Sequence, residues 1–306
     1  MRPNGKIAVC FPGQLQERPL LEDRHPLGRD PSFMALLDRV ETQKEFDPSS
    51  YFSRGEEKEE DLPLKLQMAT YLLSFFHFHR LLERGWIPDI LAEHSMGIYG
   101  ALAASGAITF EEGLFITRSI GKLLQEEGAL CPGAMASVIG LSLEEVHKIL
   151  NDLDGYHLVI ANYNGSMHYV ISGEAEGVQK AIGLALSRKA IAANRLSFNT
   201  ALHSPSLSHL RGKIMDLLRE IEIRPLVYPI LNHWTVRPLK RGEVKDFLSE
   251  EIARPVYWVR CVEKLVQEGV RQFVEVGGEA TLSKLIRWIN REVEAFPAEE
   301  CLSSGG

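Results

Sequence analysis

Cysteine is scarce in this chain: four in 306 residues, at Cys10, Cys131, Cys261 and Cys301. They are scattered, without the paired spacing of a metal site, so they read as reduced thiols packed as small hydrophobes. Long apolar runs are also missing, which excludes a membrane-spanning helix. Positive charge is in deficit, with 34 Lys and Arg against 41 Asp and Glu, a net charge of −7 and a pI near 5.9. That balance argues against nucleic acid as the main partner. The segment Met1-Arg2-Pro3-Asn4-Gly5-Lys6 runs directly into a strand-like stretch and leaves no room for a signal peptide, so a cytoplasmic protein is expected. What is abundant is hydrophobic sequence, 45% of the chain, enough to bury one large domain or two modest ones.

The most informative stretch is Glu93-His94-Ser95-Met96-Gly97. It lies between the strand-like Gly85–Ala92 and the small-residue helix Tyr99–Gly106. A serine on a strand-to-helix turn has the context of a nucleophile elbow: the tight turn lifts the hydroxyl out of the fold, and the following helix aims backbone N–H groups at a developing oxyanion. The signature Gly-x-Ser-x-Gly is half present, with Gly97 in place and Glu93 where the first glycine belongs.

The remaining pattern predicts an α/β protein. Residues 44–61, with Glu56-Glu57-Lys58-Glu59-Glu60-Asp61, read as a solvated connector. Leu62 to Arg84 has apolar residues at helical spacing, and a helix from Thr109 to about Glu127 opens on a threonine cap with acidic residues behind it. Between 133 and 199 the order is strand (Ala134–Ile139), helix opened by Ser142-Leu143-Glu144-Glu145, strands His157–Ala161 and Tyr169–Ser172, helix Glu174–Lys189 and strand Ala193–Phe198. That β-α-β-β-α-β order is the ferredoxin-like pattern. The expectation is a large α/β-hydrolase-like catalytic domain from residues 1–132 and 200–306, with a ferredoxin-like subdomain, 133–199, inserted into it. The large domain is expected to resume with helix Leu207–Glu222, strand Val227–Leu231, helices Gly242–Ile252 and Val259–Glu268, strand Gln272–Val276 and helix Thr281–Val293, ending in a frayed Ser-Ser-Gly-Gly.

A serine hydroxyl needs a base within hydrogen-bond reach, and the chain has ten histidines. His94 adjoins Ser95 and is expected to pack or hydrogen-bond at the turn. His77 and His79 fall on the apolar helix, where core roles suit them. On the residues alone His203 ranks no higher than the others.

Several short segments, in order, change that. Phe11-Pro12-Gly13-Gln14 follows the strand Lys6–Cys10. Ala161-Asn162-Tyr163-Asn164, Ala201-Leu202-His203-Ser204-Pro205, Arg254-Pro255-Val256-Tyr257-Trp258 and Val274-Glu275-Val276-Gly277-Gly278 come later. Together with the elbow, this set resembles the malonyl-CoA:acyl-carrier-protein transacylase family over residues 6 to about 290. The resemblance implies Ser95 as nucleophile and His203 as general base and acid. It implies an oxyanion hole from the backbone N–H groups of Gln14 and Met96, and Asn162 and Asn164 lining a cleft. The acceptor behind the histidine maps to Glu251, either as a backbone carbonyl or, through its carboxylate, as the third member of a Ser-His-Glu triad. The loop after Gln14 departs from the family, with Leu15-Gln16-Glu17 in place of a glycine-containing run, which restricts the backbone there.

The departures that bear on substrate lie in the pocket. Family members that take malonyl groups hold the free carboxylate with an arginine just before a Gly-Lys pair. Here that position is Ile120, before Gly121-Lys122. Arg118, two residues back, is rotated about 200° round a helix. Leu202 precedes the histidine where serine or phenylalanine is usual. A carboxylate against Ile120 and Leu202 is buried unpaired, at a cost of several kcal/mol, so a neutral acyl group is expected unless Arg118 or Lys65 reaches it. By resemblance the reaction is a ping-pong transfer of an acyl group from acyl-CoA to the phosphopantetheine thiol of an acyl carrier protein, with no bound cofactor or metal. A thioester hydrolase of the same fold and an inactive scaffold that binds the carrier protein are the competing readings. Glu93 and Leu15, both near the oxyanion region, are what the scaffold reading rests on.

Overall fold

The computed structural model describes residues 5–15, 26–41, 49–52 and 62–303. Of the connector expected over 44–61, residues 44–48 and 53–61 lie outside them, as do Gln16, Glu17 and the glycine end, while Ser49–Phe52 is a short helix that buries Tyr51 and Phe52 rather than solvated chain.

A five-stranded sheet forms the centre of the larger unit, in the order β7-β2-β1-β8-β9. Its strands are β1 (Lys6–Phe11), β2 (Ile90–Glu93), β7 (Ile230–Leu231), β8 (Val270–Glu275) and β9 (Glu294–Pro297), and every pairing is parallel. Because a parallel sheet is covered on both faces, its central strands read as continuous apolar runs. Ala8, Val9, Cys10 and Phe11 of β1 are completely buried. One face is covered by α1 (Pro31–Glu41), α2 (Ser49–Phe52), α3 (Leu62–Glu83), α4 (Gly97–Ala104) and α5 (Phe110–Leu130). The other packs against α10 (Trp258–Gln267) and α11 (Thr281–Ile289) around the fully buried Trp258.

The second sheet has four strands, β3 (Gly133–Ile139), β4 (Val159–Gly165), β5 (His168–Glu174) and β6 (Ala192–Arg195). Its order is β4-β5-β3-β6 with all pairs antiparallel. Helices α6 (Leu143–Asp152) and α7 (Ala175–Ser187) pack on one face around a core of its own. Both expected capping boxes form: Thr109 with Glu112 opens α5, and Ser142 with Glu145 opens α6. A strap from the larger unit runs alongside β4. Val256 donates to Ala161 O at 2.8 Å and its carbonyl accepts from Tyr163 N at 2.8 Å.

Several expected elements are shorter than their apolar patterns. The helix expected over 207–222 is a 3₁₀ turn, Pro205–Leu210, followed by α8 (Arg211–Leu217). The Arg224-Pro225 step beyond it disfavours helix. The strand expected over 227–231 pairs only at Ile230 and Leu231, since Pro229 has no N–H for a ladder. The helix expected over 242–252 splits into 3₁₀ turns either side of α9 (Val244–Glu250). Pairing in β6 stops at Arg195, and Leu196 and Phe198 turn instead to line a cleft. Helix α11 stops at Ile289, four residues short of expectation, because Asn290 turns extended and the chain returns as β9, which ends at α12 (Ala298–Ser303).

Candidate active site

The carboxyl ends of β1, β2 and β8 converge. In open parallel sheets this is where ligands bind, outside the strand ends and where the strand order reverses. Strand β2 ends at Glu93, and the chain turns through His94 and Ser95 into α4. Ser95 has φ 57°, a left-handed conformation that costs a residue with a Cβ of order 1–3 kcal/mol. The turn is held against the end of β1: His94 N donates to Phe11 O at 3.0 Å. Gly97 is required there, since a Cβ on it would come within 2.2 Å of Phe11 O.

His203 arrives from the loop before the Pro205 turn. It too has a left-handed backbone, φ 57°, and its N–H donates to Ile252 O at 2.6 Å. Its Nε2 lies 2.7 Å from Ser95 Oγ. Its Nδ1 faces the carbonyls of Arg254 at 2.9 Å and Glu251 at 3.1 Å. Two carbonyl acceptors fix the proton on Nδ1 and leave the Nε2 lone pair for the serine hydroxyl. Burial, with a smaller contribution from His233, pushes His203 down to about 4, so the ring is a neutral base at pH 7.

Glu251 is within the cluster, but its carboxylate does not hold the histidine. The backbone carbonyl does that, and Oε1 instead accepts from Tyr99 Oη at 2.6 Å. The carboxylate form of the Ser-His-Glu triad is therefore corrected to a serine–histidine pair oriented by main chain. The carboxyl is 1% exposed, its Oε2 has no partner, and burial raises it to about 8.

Gln14 and Met96 lie beside Ser95, Met96 at the start of α4. Leu15 does not loosen the loop. It is buried, and its N–H donates to Thr70 Oγ1 at 3.0 Å. The larger cavity, about 240 Å³, runs between the two sheets from Ser95 and His203 past Met135, Ser137 and Val170 on one side and Thr281 and Leu285 on the other. Asn162 and Asn164 line it, and Asn164 Oδ1 meets His94 Nε2 at 3.0 Å. Buried His94, with its edge against Trp258, thus ties the elbow to β4 rather than serving Ser95. A smaller cavity of about 40 Å³ continues beyond Ser95 and His203, which line its mouth with Gln14, Gln67 and Glu251; its apolar wall is Met96, Ile120, Leu124, Phe198 and Leu202, with Tyr99 beside them. Ile120 and Leu202 are 2% and 8% exposed. Arg118, half-buried on another face of α5, lines neither cavity, nor does Lys65.

Two buried glutamates take roles that their motifs do not announce. Glu93, fully buried, accepts from His233 N at 2.7 Å and meets His233 Nδ1 at 2.6 Å. The residue in the first glycine position is thus turned away from the oxyanion region and into a buried pair, where burial raises Glu93 and lowers His233 to about 3. Glu275, at the end of β8, accepts from Leu282 N and Ser283 N at 2.9 and 2.7 Å and so caps α11, the wall of the cleft. The turn between them needs Gly277, whose φ is +104°.

A serine hydroxyl on a strained turn, a neutral imidazole against it and a helix N-terminus beside it are suited to nucleophilic acyl transfer. The comparisons agree. Residues 65–302 match the acyl transferase domain family. The malonyl CoA-acyl carrier protein transacylase of Bacillus subtilis is 28% identical over 298 residues, covering 96% of this chain and 94% of that protein. A polyketide biosynthesis malonyl CoA-acyl carrier protein transacylase of the same organism is 31% identical over 233 residues, 76% of this chain and 80% of its own. Among solved structures, the malonyl CoA-acyl carrier protein transacylase of Coxiella burnetii superposes with a TM-score of 0.88 at 26% identity, covering 98% of this chain and 96% of that one. A malonyl-transacylase in complex with its type II polyketide synthase acyl-carrier protein gives 0.87 at 25% identity, covering 95% of both chains. The chain belongs to the acyl transferase family.

Proposed function

We propose that the protein moves a short, neutral acyl group from acyl-CoA to the phosphopantetheine thiol of an acyl carrier protein, with Ser95 as nucleophile and His203 as its base. The observation that carries this is the 2.7 Å contact between Ser95 Oγ and His203 Nε2 at the floor of the cleft. In the first half, His203 Nε2 takes the hydroxyl proton as Oγ attacks the thioester carbonyl. The C–S bond breaks, and the proton goes to the departing CoA sulfur. In the second half the carrier thiol loses its proton to His203 and attacks the acyl-serine ester, and the proton returns to Oγ. The main-chain N–H groups of Gln14 and Met96 are the donors for both tetrahedral oxyanions, a role worth about 2.7–4 kcal/mol per donor in other acyl-transfer enzymes. His203 needs no carboxylate because two carbonyls hold its Nδ1–H.

The cleft lined by Asn162 and Asn164 suits the pantetheine arm, and the small cavity beyond Ser95 suits the acyl group. Its wall of Ile120, Leu124, Phe198 and Leu202 supplies no cation, and its one carboxyl is that of Glu251, which favours a neutral group over malonyl. The names of the two Bacillus subtilis relatives, both transacylases, favour transfer over hydrolysis. We read the fold as an α/β-hydrolase-like domain, 1–132 with 200–306, carrying a ferredoxin-like insert, 133–199, and the use of CoA thioesters as placing the protein in the cytoplasm. No helix among the described residues is long and apolar enough to cross a membrane.

Intact-mass spectrometry after mixing with a panel of acyl-CoAs tests this. The wild type gains one acyl mass, Ser95→Ala gains none while keeping its circular dichroism spectrum, and a phosphopantetheinylated carrier protein discharges the adduct. An adduct on Ser95→Ala at the wild-type rate overturns the assignment of the nucleophile. Discharge to free acid at the same rate with and without carrier protein overturns the transfer reading.

A further inference from the structure

Behind the Ser95–His203 pair lies a polar cluster that acyl transfer does not use. His233 is fully buried, and its Nδ1 is taken up by Glu93, yet its Nε2 has no hydrogen-bond partner. Glu251, also buried, has one oxygen on Tyr99 and the other, Oε2, without a partner. An unsatisfied buried polar atom costs about 1–3 kcal/mol, and here there are two. The ring of His233 stands edge-on to that of His203, with centroids 6.0 Å apart. Ligand-type atoms of His203, His233 and Glu251 all lie within 4.8 Å of one another.

We propose that His203, His233 and Glu251 form a binding site for a single zinc ion, and that filling it switches the acyl-transfer centre off. Two imidazoles and a carboxylate are a donor set that zinc takes, at about 2.0–2.2 Å per bond. Around one tetrahedral ion such bonds place ligand atoms roughly 3.3–3.5 Å apart and imidazole centroids roughly 5 Å apart. Closing the site therefore takes side-chain shifts of about an ångström. The outer partners are already in position. Metal-binding histidines typically donate their second ring N–H to a carboxylate or a carbonyl. His233 has Glu93 on Nδ1, and His203 has the Arg254 and Glu251 carbonyls on Nδ1. In each ring Nε2 is the nitrogen that these outer partners leave for a metal.

Ser95 Oγ, 2.7 Å from His203 Nε2, is the group that an ion on that nitrogen meets, and both residues line the cleft. An ion there occupies the lone pair that accepts the serine proton, so acylation stops. The same cluster lets a catalytic histidine serve, when zinc is present, as a metal ligand.

The full chain, stripped with a chelator and titrated with zinc chloride by calorimetry, tests the proposal. The expected result is one ion per chain, a tetrahedral d–d spectrum when cobalt(II) replaces zinc, and loss of Ser95 acylation that EDTA reverses. His233→Ala loses the ion and the cobalt spectrum. If that variant does not fold, Glu93→Gln, which keeps all three ligands but removes the outer carboxylate, binds about 10- to 100-fold more weakly. No uptake at a tenfold excess of zinc overturns the proposal and assigns the space to water. Uptake unchanged in the folded His233→Ala or Glu93→Gln variant overturns it as well, as does uptake lost on changing the exposed Cys131 to serine.

Discussion

Replacing Ile120 by arginine is the sharpest test of how the acyl pocket chooses. Ile120 is 2% exposed and shares the small cavity with Leu124, Leu202 and Glu251. In the wild type a malonyl carboxylate entering that cavity is desolvated without a cationic partner, with only the amides of Gln14 and Gln67 among its polar neighbours beside Glu251, at several kcal/mol, so acetyl-CoA acylates Ser95 with the higher kcat/KM. An arginine that regains a charged hydrogen bond contributes about 1.5–3 kcal/mol, or roughly 10- to 150-fold towards malonyl. Glu251 intervenes, however. A guanidinium in that cavity meets the Glu251 carboxyl first, pulls it from about 8 into the ionised range and pairs with it. Ile120→Arg alone is therefore expected to shift preference by less than tenfold, and Ile120→Arg with Glu251→Gln by the full amount. The two substitutions are strongly coupled, and the double-mutant cycle measures the coupling. The assay is the ratio of acylation rates from malonyl-CoA and acetyl-CoA by intact mass. A wild type that prefers malonyl-CoA refutes the reasoning about the pocket, and strictly additive effects refute the part assigned to Glu251.

Three further outcomes follow from the geometry. His203→Ala slows acylation by about 10²–10⁴-fold, whereas His94→Ala, which removes links to Asn164, Asn162 and Trp258 but none to Ser95 Oγ, costs far less; the acid limb of wild-type kcat/KM falls near pH 4, as the lowered His203 requires, and a limb near 6.5 contradicts this. Glu251→Gln changes the pH dependence of stability. The wild-type carboxyl stays protonated in the fold up to about 8 while the unfolded group ionises from its ordinary value of 4.5, so wild-type stability falls relative to the variant as pH rises between those values, and denaturant melts that stay parallel from pH 4 to 9 contradict this. Gly97→Ala drives a Cβ to 2.2 Å from Phe11 O, and because the neighbour is backbone, unfolding titrations are expected to show a loss of about 1–3 kcal/mol; a loss under half a kcal/mol means the elbow is not held by β1.

Much of this was legible locally. The strand, turn and helix around Ser95 follow from an apolar run giving way to small residues, and the caps at Thr109 and Ser142 follow from Glu three residues on. The ordered motifs placed His203, Asn162 and Asn164, which the fold does bring to the cleft. What was not legible depends on contacts distant in sequence. Nothing near Glu93 announces His233, 140 residues away, and a glutamate in a glycine position reads as damage until its partner is seen. Nor does composition tell whether Glu251 acts through its main chain or its side chain. That is decided by Tyr99, which claims the carboxylate. Apolar periodicity overestimates the strand and the first helix after 204 because it registers neither the missing N–H of Pro229 nor the bias that Pro225 places on Arg224.

The strap at Arg254–Trp258 has a mechanical consequence. Val256 is laced to both Ala161 and Tyr163 on β4, and two residues earlier the same strap presents the Arg254 carbonyl to His203. The small sheet and the histidine's acceptor are therefore on one lever. Any swing of the small sheet that widens the cleft for an incoming pantetheine arm is geared to the tilt of the imidazole, so that access and basicity change in step and the small sheet acts as a clutch on the serine.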